Sequence, residues 1–366
     1  LNANYRLNDK TRLFATGYYG KDVLGLGKEF GINWGNSAAT VRLNHVFNAK
    51  LFSNTSAIFS NYDYKIKIVG GNDLVDVISK IQDYSIKQDF HYFNNSRSKI
   101  KFGFNSTYHN VVPGVIKLHI DSTNSNIDLT RKYAWENAVY VSHEYKASDK
   151  FSLEFGARLN SFSLVGPGNV YSYNTNGETT DTTKFTSTKI VKTYFNFQPR
   201  ISANYLITKN SSLKAAYARN AQNMHLLSNS STGNPTDLWI LSSNNIKPEI
   251  CDQLSLGYFK NSKENMFEFS TEVYYKYLQN QIDYKTGAQL LFNEQVESQV
   301  LSGIGRAYGI EFSLKKKFGR FNGWVGYTLA RTERKIEGIN DDNWYAAKQD
   351  RTHDLSVVGI YDLTKK

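Results

Sequence analysis

The sequence predicts an all-β protein, an antiparallel up-and-down β-barrel with about fifteen strands in view, and three observations predict it. Apolar and polar residues alternate with a period of two along most of the 366 residues, and helical periodicity is scarce. Short polar turns alternate strictly with much longer polar stretches. Aromatic residues make up 14% of a chain whose mean hydropathy is only −0.50, which is too aromatic for a disordered chain.

The strands read clearly at 266–278, where Phe267, Phe269, Thr271, Val273, Tyr275 and Tyr277 alternate with Glu268, Ser270, Glu272, Tyr274 and Lys276. The same period runs through 100–108, 151–160, 213–219 and 308–314. Tight turns fall at Asn8-Asp9-Lys10, Asn48-Ala49-Lys50, Asn94 to Ser98, Ala147-Ser148-Asp149, Thr208-Lys209-Asn210, Asn261-Ser262-Lys263 and Gly319-Arg320. Between them lie polar stretches at 20–30, 65–77, 110–130, 164–190, 221–248, 279–300 and 335–347, read as long loops. In an up-and-down sheet this places every long loop at one end and every tight turn at the other. No apolar run approaches ~18 residues, which excludes a transmembrane helix but not a barrel that hides its hydrophobicity in alternate residues. Long extracellular loops, tight periplasmic turns and aromatics near strand ends point to a barrel in the bacterial outer membrane. A propeller would show shorter strands and a fixed repeat.

Composition narrows the function classes. One cysteine, Cys251, excludes a disulfide framework or a Cys-rich metal centre. The formal charge of +11 is spread thinly, the longest basic run being Lys315-Lys316-Lys317, so no nucleic-acid footprint is expected. The seven histidines show no metal-ligand spacing, and there is no P-loop or nucleophile elbow. The Asp341-Asp342 pair reads as a solvated loop tip. The richest polar set is the 221–248 loop, with Met224, His225, Ser228, Asn229, Asn234, Asp237 and Trp239. A triad of Ser228, His225 and Asp237 is the sole catalytic arrangement on offer. Ligand contact by His225, Asn234, Asp237 and Trp239 is expected ahead of catalysis, with a purely structural loop that packs through Leu226, Leu227, Leu238 and Trp239 as the plainer reading that stays open. No metal or cofactor is expected, and the protein is not expected to be an enzyme.

Residues 199–260, with Ile246-Lys247-Pro248-Glu249 leading into a strand ending Leu256-Gly257-Tyr258, resemble TonB-dependent outer-membrane receptors of the Bacteroidota type. Residues 307–334 and Asp350-Arg351-Thr352-His353-Asp354-Leu355 resemble two further stretches of that family, so the likeness runs over nearly the whole chain. Pro248, without an N–H and with a fixed φ, suits the last loop position before a strand joins the ladder. The resemblance implies a plug domain inside a 22-stranded barrel. Residues 1–366 then form a central barrel portion, with the plug, the TonB-contacting segment and the terminal strands outside this sequence. It further implies active uptake of a scarce ligand, a small molecule such as an iron chelate or vitamin, a glycan or a peptide, with TonB, outer-membrane lipid and lipopolysaccharide as partners and a surface lipoprotein as an optional one. The alternative is a non-transporting barrel that serves as an adhesin or as part of a secretion or assembly complex.

Overall fold

Fifteen strands follow one another in a single meander: β1 Asn2–Asn8, β2 Thr11–Leu26, β3 Phe30–Val46, β4 Leu51–Gly70, β5 Asp73–Asn95, β6 Ser98–Ile120, β7 Lys132–Lys146, β8 Phe151–Val165, β9 Ile190–Thr208, β10 Ser211–Gln222, β11 Glu249–Asn261, β12 Phe267–Tyr284, β13 Val300–Lys316, β14 Phe321–Lys335 and β15 His353–Tyr361. The structure is a computed structural model, and it describes residues 1–70, 73–120, 123–128, 131–174, 177–227, 237–288, 293 and 295–364. Each strand pairs antiparallel with its neighbours in sequence, and the edge strands β1 and β15 pair on one side. Two short segments, Thr123–Asp128 and Tyr345–Ala346, extend the same sheet.

The tight turns fall where the sequence places them, and their polar residues explain why. The side chain of Asn48 accepts hydrogen bonds from the Lys50 and Leu51 backbone N–H groups. Ser148 does the same for Lys150 and Phe151, and Asn95 for Arg97. A side chain that caps its own turn closes a hairpin in two or three residues.

The opposite end departs from the sequence expectation. Residues 20–30, 65–77 and 110–120 are largely paired strand rather than loop, and β5 and β6 each reach 23 residues. Glycines and charged residues interrupt the apolar pattern there, but a ladder continues wherever the neighbouring strand supplies partners, whatever the polarity of the side chains. A bilayer needs only ~9–11 tilted residues per strand, so the surplus rises as a wall beyond it.

Register gives the sheet two unlike faces. Leu256, Val273, Ile310 and Leu329 pair in one row, and Leu254, Tyr275 and Tyr308 in the next. In β12 the exposed side chains include Phe267, Val273, Tyr275 and Tyr277. On the other face Glu268 pairs with Lys317, and Lys276 lies over the Tyr274 ring at 5.3 Å. The apolar belt ends abruptly: one row above Tyr275 and Tyr308 come Arg219, Asp252, Tyr277, Arg306 and Glu333. Those charges are paired, Arg219 with Asp252 at 2.8 Å and Arg306 with Glu333 at 2.8 Å. An apolar stripe bounded by tyrosines and then charges is the outer surface of a membrane barrel.

Candidate functional site

The described parts of the 222–248 connection, residues 222–227 and 237–248, fold back onto the inner face of the wall. Met224–Leu227 and Leu238–Leu241 form a hairpin with Met224 opposite Leu241 and His225 opposite Ile240. Val111, Ala134, Phe162 and Leu164 bury Leu241, with Met224 packed alongside. Ala134 lies opposite His109, whereas Tyr108 and Trp135 share the outward row, so this core is on the lumen face. The other side of the hairpin buries Leu227 and Ile240 with Ile246, Ile282 and Val296. The hairpin therefore spans from the β6–β8 wall to β12. Each large side chain so buried contributes on the order of 1.5–3 kcal/mol, enough to hold the loop without a disulfide.

A polar ladder runs beside this core. Asp83 lies 2.8 Å from His109 Nδ1, and Glu136 lies 3.7 Å from His109 Nε2. Glu136 accepts from Asn160 at 2.7 Å and from Asn223 at 3.3 Å, and the Ser242 N–H donates to the Asn223 carbonyl at 2.8 Å. His225 Nε2 sits 2.9 Å from the Ser242 hydroxyl, and its Nδ1 is 3.5 Å from Glu249. Gln281 donates to that same carboxylate at 2.9 Å. Most of the ladder's buried groups find hydrogen-bond partners, Asn223 Oδ1 and His225 Nδ1 being exceptions, and the bonds formed favour one seating of the hairpin on the wall.

The predicted site residues are placed unequally. His225 is only 1% exposed and is spent on fastening the hairpin. Trp239 pairs opposite Leu226 and is half-buried. Asn234, with Ser228 and Asn229, lies outside the described residues. Asp237 is half-buried. Burial raises the Tyr64 and Tyr284 phenols above their ordinary values, and the Asp237 charge raises both further. Tyr62 is raised by burial and by Tyr64, and Asp237 adds to that too. These tyrosines stand on β4 and β12, so Asp237 faces phenols from both.

Beside Tyr284 lies a second charged group that the sequence did not disclose. Asp283 is bound by Lys348 at 3.1 Å, by Arg334 at 3.5 Å and by the Tyr345 hydroxyl at 3.1 Å. Burial works to raise its carboxyl, but the Tyr284 N–H, Lys348 and Arg334 outweigh it and hold Asp283 below the usual range. The Lys348 ammonium also lies 5.2 Å from the Tyr284 ring. The mouth thus offers phenol hydroxyls and an aspartate on strands, Tyr64, Tyr284 and Asp283, with the Lys348 ammonium brought over the Tyr284 ring from a turn. Asp341 and Asp342 occupy an exposed turn closed by the Gly338 N–H on Asp342.

A membrane-spanning antiparallel wall with a loop folded over its lumen defines an outer-membrane barrel receptor. The chain belongs to the TonB dependent receptor-like β-barrel family, whose model matches residues 1–358. The alcaligin outer-membrane receptor FauA of Bordetella pertussis has a similar fold: TM-score 0.65 and 14% identity over 100% of this chain and 56% of that one. The ferric-catecholate import receptor Fiu of E. coli K12 is similar at TM-score 0.66 and 14% identity, with 99% and 61% covered. The ferripyoverdine receptor of Pseudomonas aeruginosa follows at TM-score 0.68 and 10% identity, with 99% and 52% covered. This chain therefore spans a little over half the length of those proteins. No curated protein matches it by sequence.

Proposed function

We propose that this chain is the central barrel wall and extracellular mouth of a receptor for active uptake of a scarce ligand across the bacterial outer membrane. In that reading residues 1–366 belong to a longer polypeptide that supplies a plug and a TonB-contacting segment. The observation that carries it is the hairpin of Met224–Leu227 and Leu238–Leu241, seated on the lumen face by Leu241 against Val111, Ala134, Phe162 and Leu164, with the Asp237 charge felt by Tyr64 and Tyr284. Family membership and the likeness to a ferric-catecholate import receptor and a ferripyoverdine receptor support it, and make a ferric chelate the first ligand class to test. Phenols and a carboxylate suit a ligand with several oxygens and rings. The Ile246-Lys247-Pro248-Glu249 entry to β11 favours a Bacteroidota-type receptor, for which a surface lipoprotein is a natural partner. Lipopolysaccharide surrounds the wall. The chain needs no chemistry of its own for this task, and we read it as non-enzymatic.

The test is ligand binding by full-length protein carrying Asp237→Asn together with Tyr64→Phe. A loss of tenfold or more in affinity, with the barrel still folded, is expected. Unchanged affinity for every ligand the cells take up through this protein removes the assignment.

A further inference from the structure

Along β3, β4 and β5 the two faces of the wall exchange polarity on the way up. In the belt Val41, Ala57 and Ile86 form an outward apolar row, and the adjacent inward row is Arg42, Ser56 and Lys87. Higher up, Ile32, Ile66 and Val77 form one inward row, and Phe30, Ile68 and Val75 the next. Between those two rows Gly31, Lys67 and Asp76 point to the outside. The inward sense follows from Tyr64, one inward row below Ile66. Tyr64 pairs with Trp34 and Ser79, is 6% exposed, and feels the Asp237 charge beside the lumenal hairpin. Strand register thus turns an apolar face into the lumen just where the wall leaves the bilayer.

Part of this inner face is already in use. Leu241 of the hairpin sits on Val111, Ala134, Phe162 and Leu164, with Ile81 of β5 at the edge of that core. From Ile81 the apolar surface continues up β5 to Val77 and Val75, and across the ladder to β4 and β3. Ile68 is 44% exposed there, and the other five side chains are half-buried. Among the described residues, neither hydrophobic core includes any of the six. A contiguous apolar patch left in water marks a binding surface. Its neighbours say what binds. The face looks away from the bilayer, so membrane lipid does not reach it. It borders Tyr64, and through Tyr64 the polar groups of the mouth. Five of its six side chains are aliphatic, which suits a flexible chain better than a ring that needs a stacking partner.

We propose that the ligand taken up is amphipathic, a ferric chelate carrying a fatty acyl chain, with the chelate at Tyr64, Asp237 and Tyr284 and the chain laid along Ile66, Ile68, Val75 and Val77. The proposal rests on the uptake reading given above and narrows its ligand class. An acyl chain that leaves water for this face gains about two- to fourfold in affinity per methylene, according to how much of it is covered. A wholly polar chelate gains nothing there.

The probes are the ferric complexes of acetohydroxamate and octanohydroxamate, measured for binding to full-length protein in lipid nanodiscs with empty discs subtracted. Wild type should bind the octanoyl complex about tenfold or more tightly than the acetyl complex. Ile66→Ser with Val77→Ser should bring octanoyl binding down to the acetyl level. In a Cys251→Ser background, Ile68→Cys should react with a maleimide more slowly, by about fivefold or more, when the octanoyl complex is bound. The acetyl complex should leave that rate unchanged. Equal affinity for the two complexes overturns the proposal, as does a chain-length preference that survives the double serine variant. So does protection of the introduced thiol by a co-purifying protein in place of the chelate. If the double serine variant does not fold, Ile68→Ser, at a side chain already exposed, carries the same test. Failure to bind either complex, by a protein through which cells take up another ferric chelate, overturns the acyl chain alone. Absence of any ligand uptake through the protein contradicts the reading on which the proposal rests, so the two failures are told apart.

Discussion

The Ser243 hydroxyl donates to the Glu297 carboxylate at 2.8 Å, across 54 residues of sequence. Asn245 donates to the same carboxylate at 2.7 Å, and Lys132 approaches it at 3.7 Å. The Tyr194 hydroxyl donates to the Ser243 carbonyl at 2.6 Å, and Asn244 and Asn245 both donate to the Tyr171 carbonyl at 2.9 Å. Residues from four separate connections and strands thus converge on one stretch of loop. Glu297→Ala should release it, at a cost of about 1–3 kcal/mol for the unpaired partners. Hydrogen exchange at 238–246 should quicken while the barrel strands keep their protection.

Phe162 is 1% exposed and lies at the centre of the hairpin's seat on the wall. Phe162→Ala leaves a cavity there, and such changes cost about 3–5 kcal/mol. The loss should fall on docking of Met224–Leu227, read as faster exchange in that segment, with the heat-modifiable barrel intact.

Asp283 should make the mouth sensitive to acid. Its carboxyl is held lower in the folded protein than in the unfolded chain, so its stabilising effect is present above the unfolded carboxylate range, near pH 4. That effect is lost as pH falls through the lowered folded value. Proteolysis of 335–350 measured from pH 7 down to 3 should therefore rise only at the acid end. Asp283→Asn should be cleaved faster at pH 7 and show a flatter profile.

The two faces of β12 are to be distinguished by one charge placed on adjacent residues. Phe269→Lys puts a cation among Leu314 and Val325 of the outward row, where mid-bilayer costs are about 2–4 kcal/mol. Ser270→Lys faces the lumen and should cost little. The yield of folded barrel in membranes, scored by heat-modifiability, should fall for Phe269→Lys alone.

Much of this architecture is legible in the residues, and the boundary of legibility has physical causes. Period-two alternation survives in a sequence because each strand must show one face to lipid, so Phe267 to Tyr277 announce their side. Turns such as Asn48-Ala49-Lys50 are legible because the capping side chain is local. The strand extensions at 20–30 and 65–77 are not, since Gly20, Gly25, Gly27 and Gly70 and the charged residues between them read as turn signals, whereas pairing above the membrane needs only backbone partners. Nor is the Asp83–His109–Glu136 ladder legible. Its members are 26 and 27 residues apart and meet only through register, a signal visible in sequence solely after strand pairing is known. His225 and Asp237 look equivalent in the chain. Only the docked hairpin separates them, with the histidine turned into the wall and the aspartate toward the tyrosines.

The central claim is that the 224–241 hairpin, seated on the lumen wall, forms part of the ligand surface. Replacing residues 226–238 by a short Gly/Ser linker in the full-length protein, and measuring cellular uptake of the cognate ligand with heat-modifiability as the folding control, tests it most directly. We expect a folded barrel whose uptake falls at least tenfold. Undiminished uptake by a well-folded variant would contradict the account and leave the hairpin a structural cover.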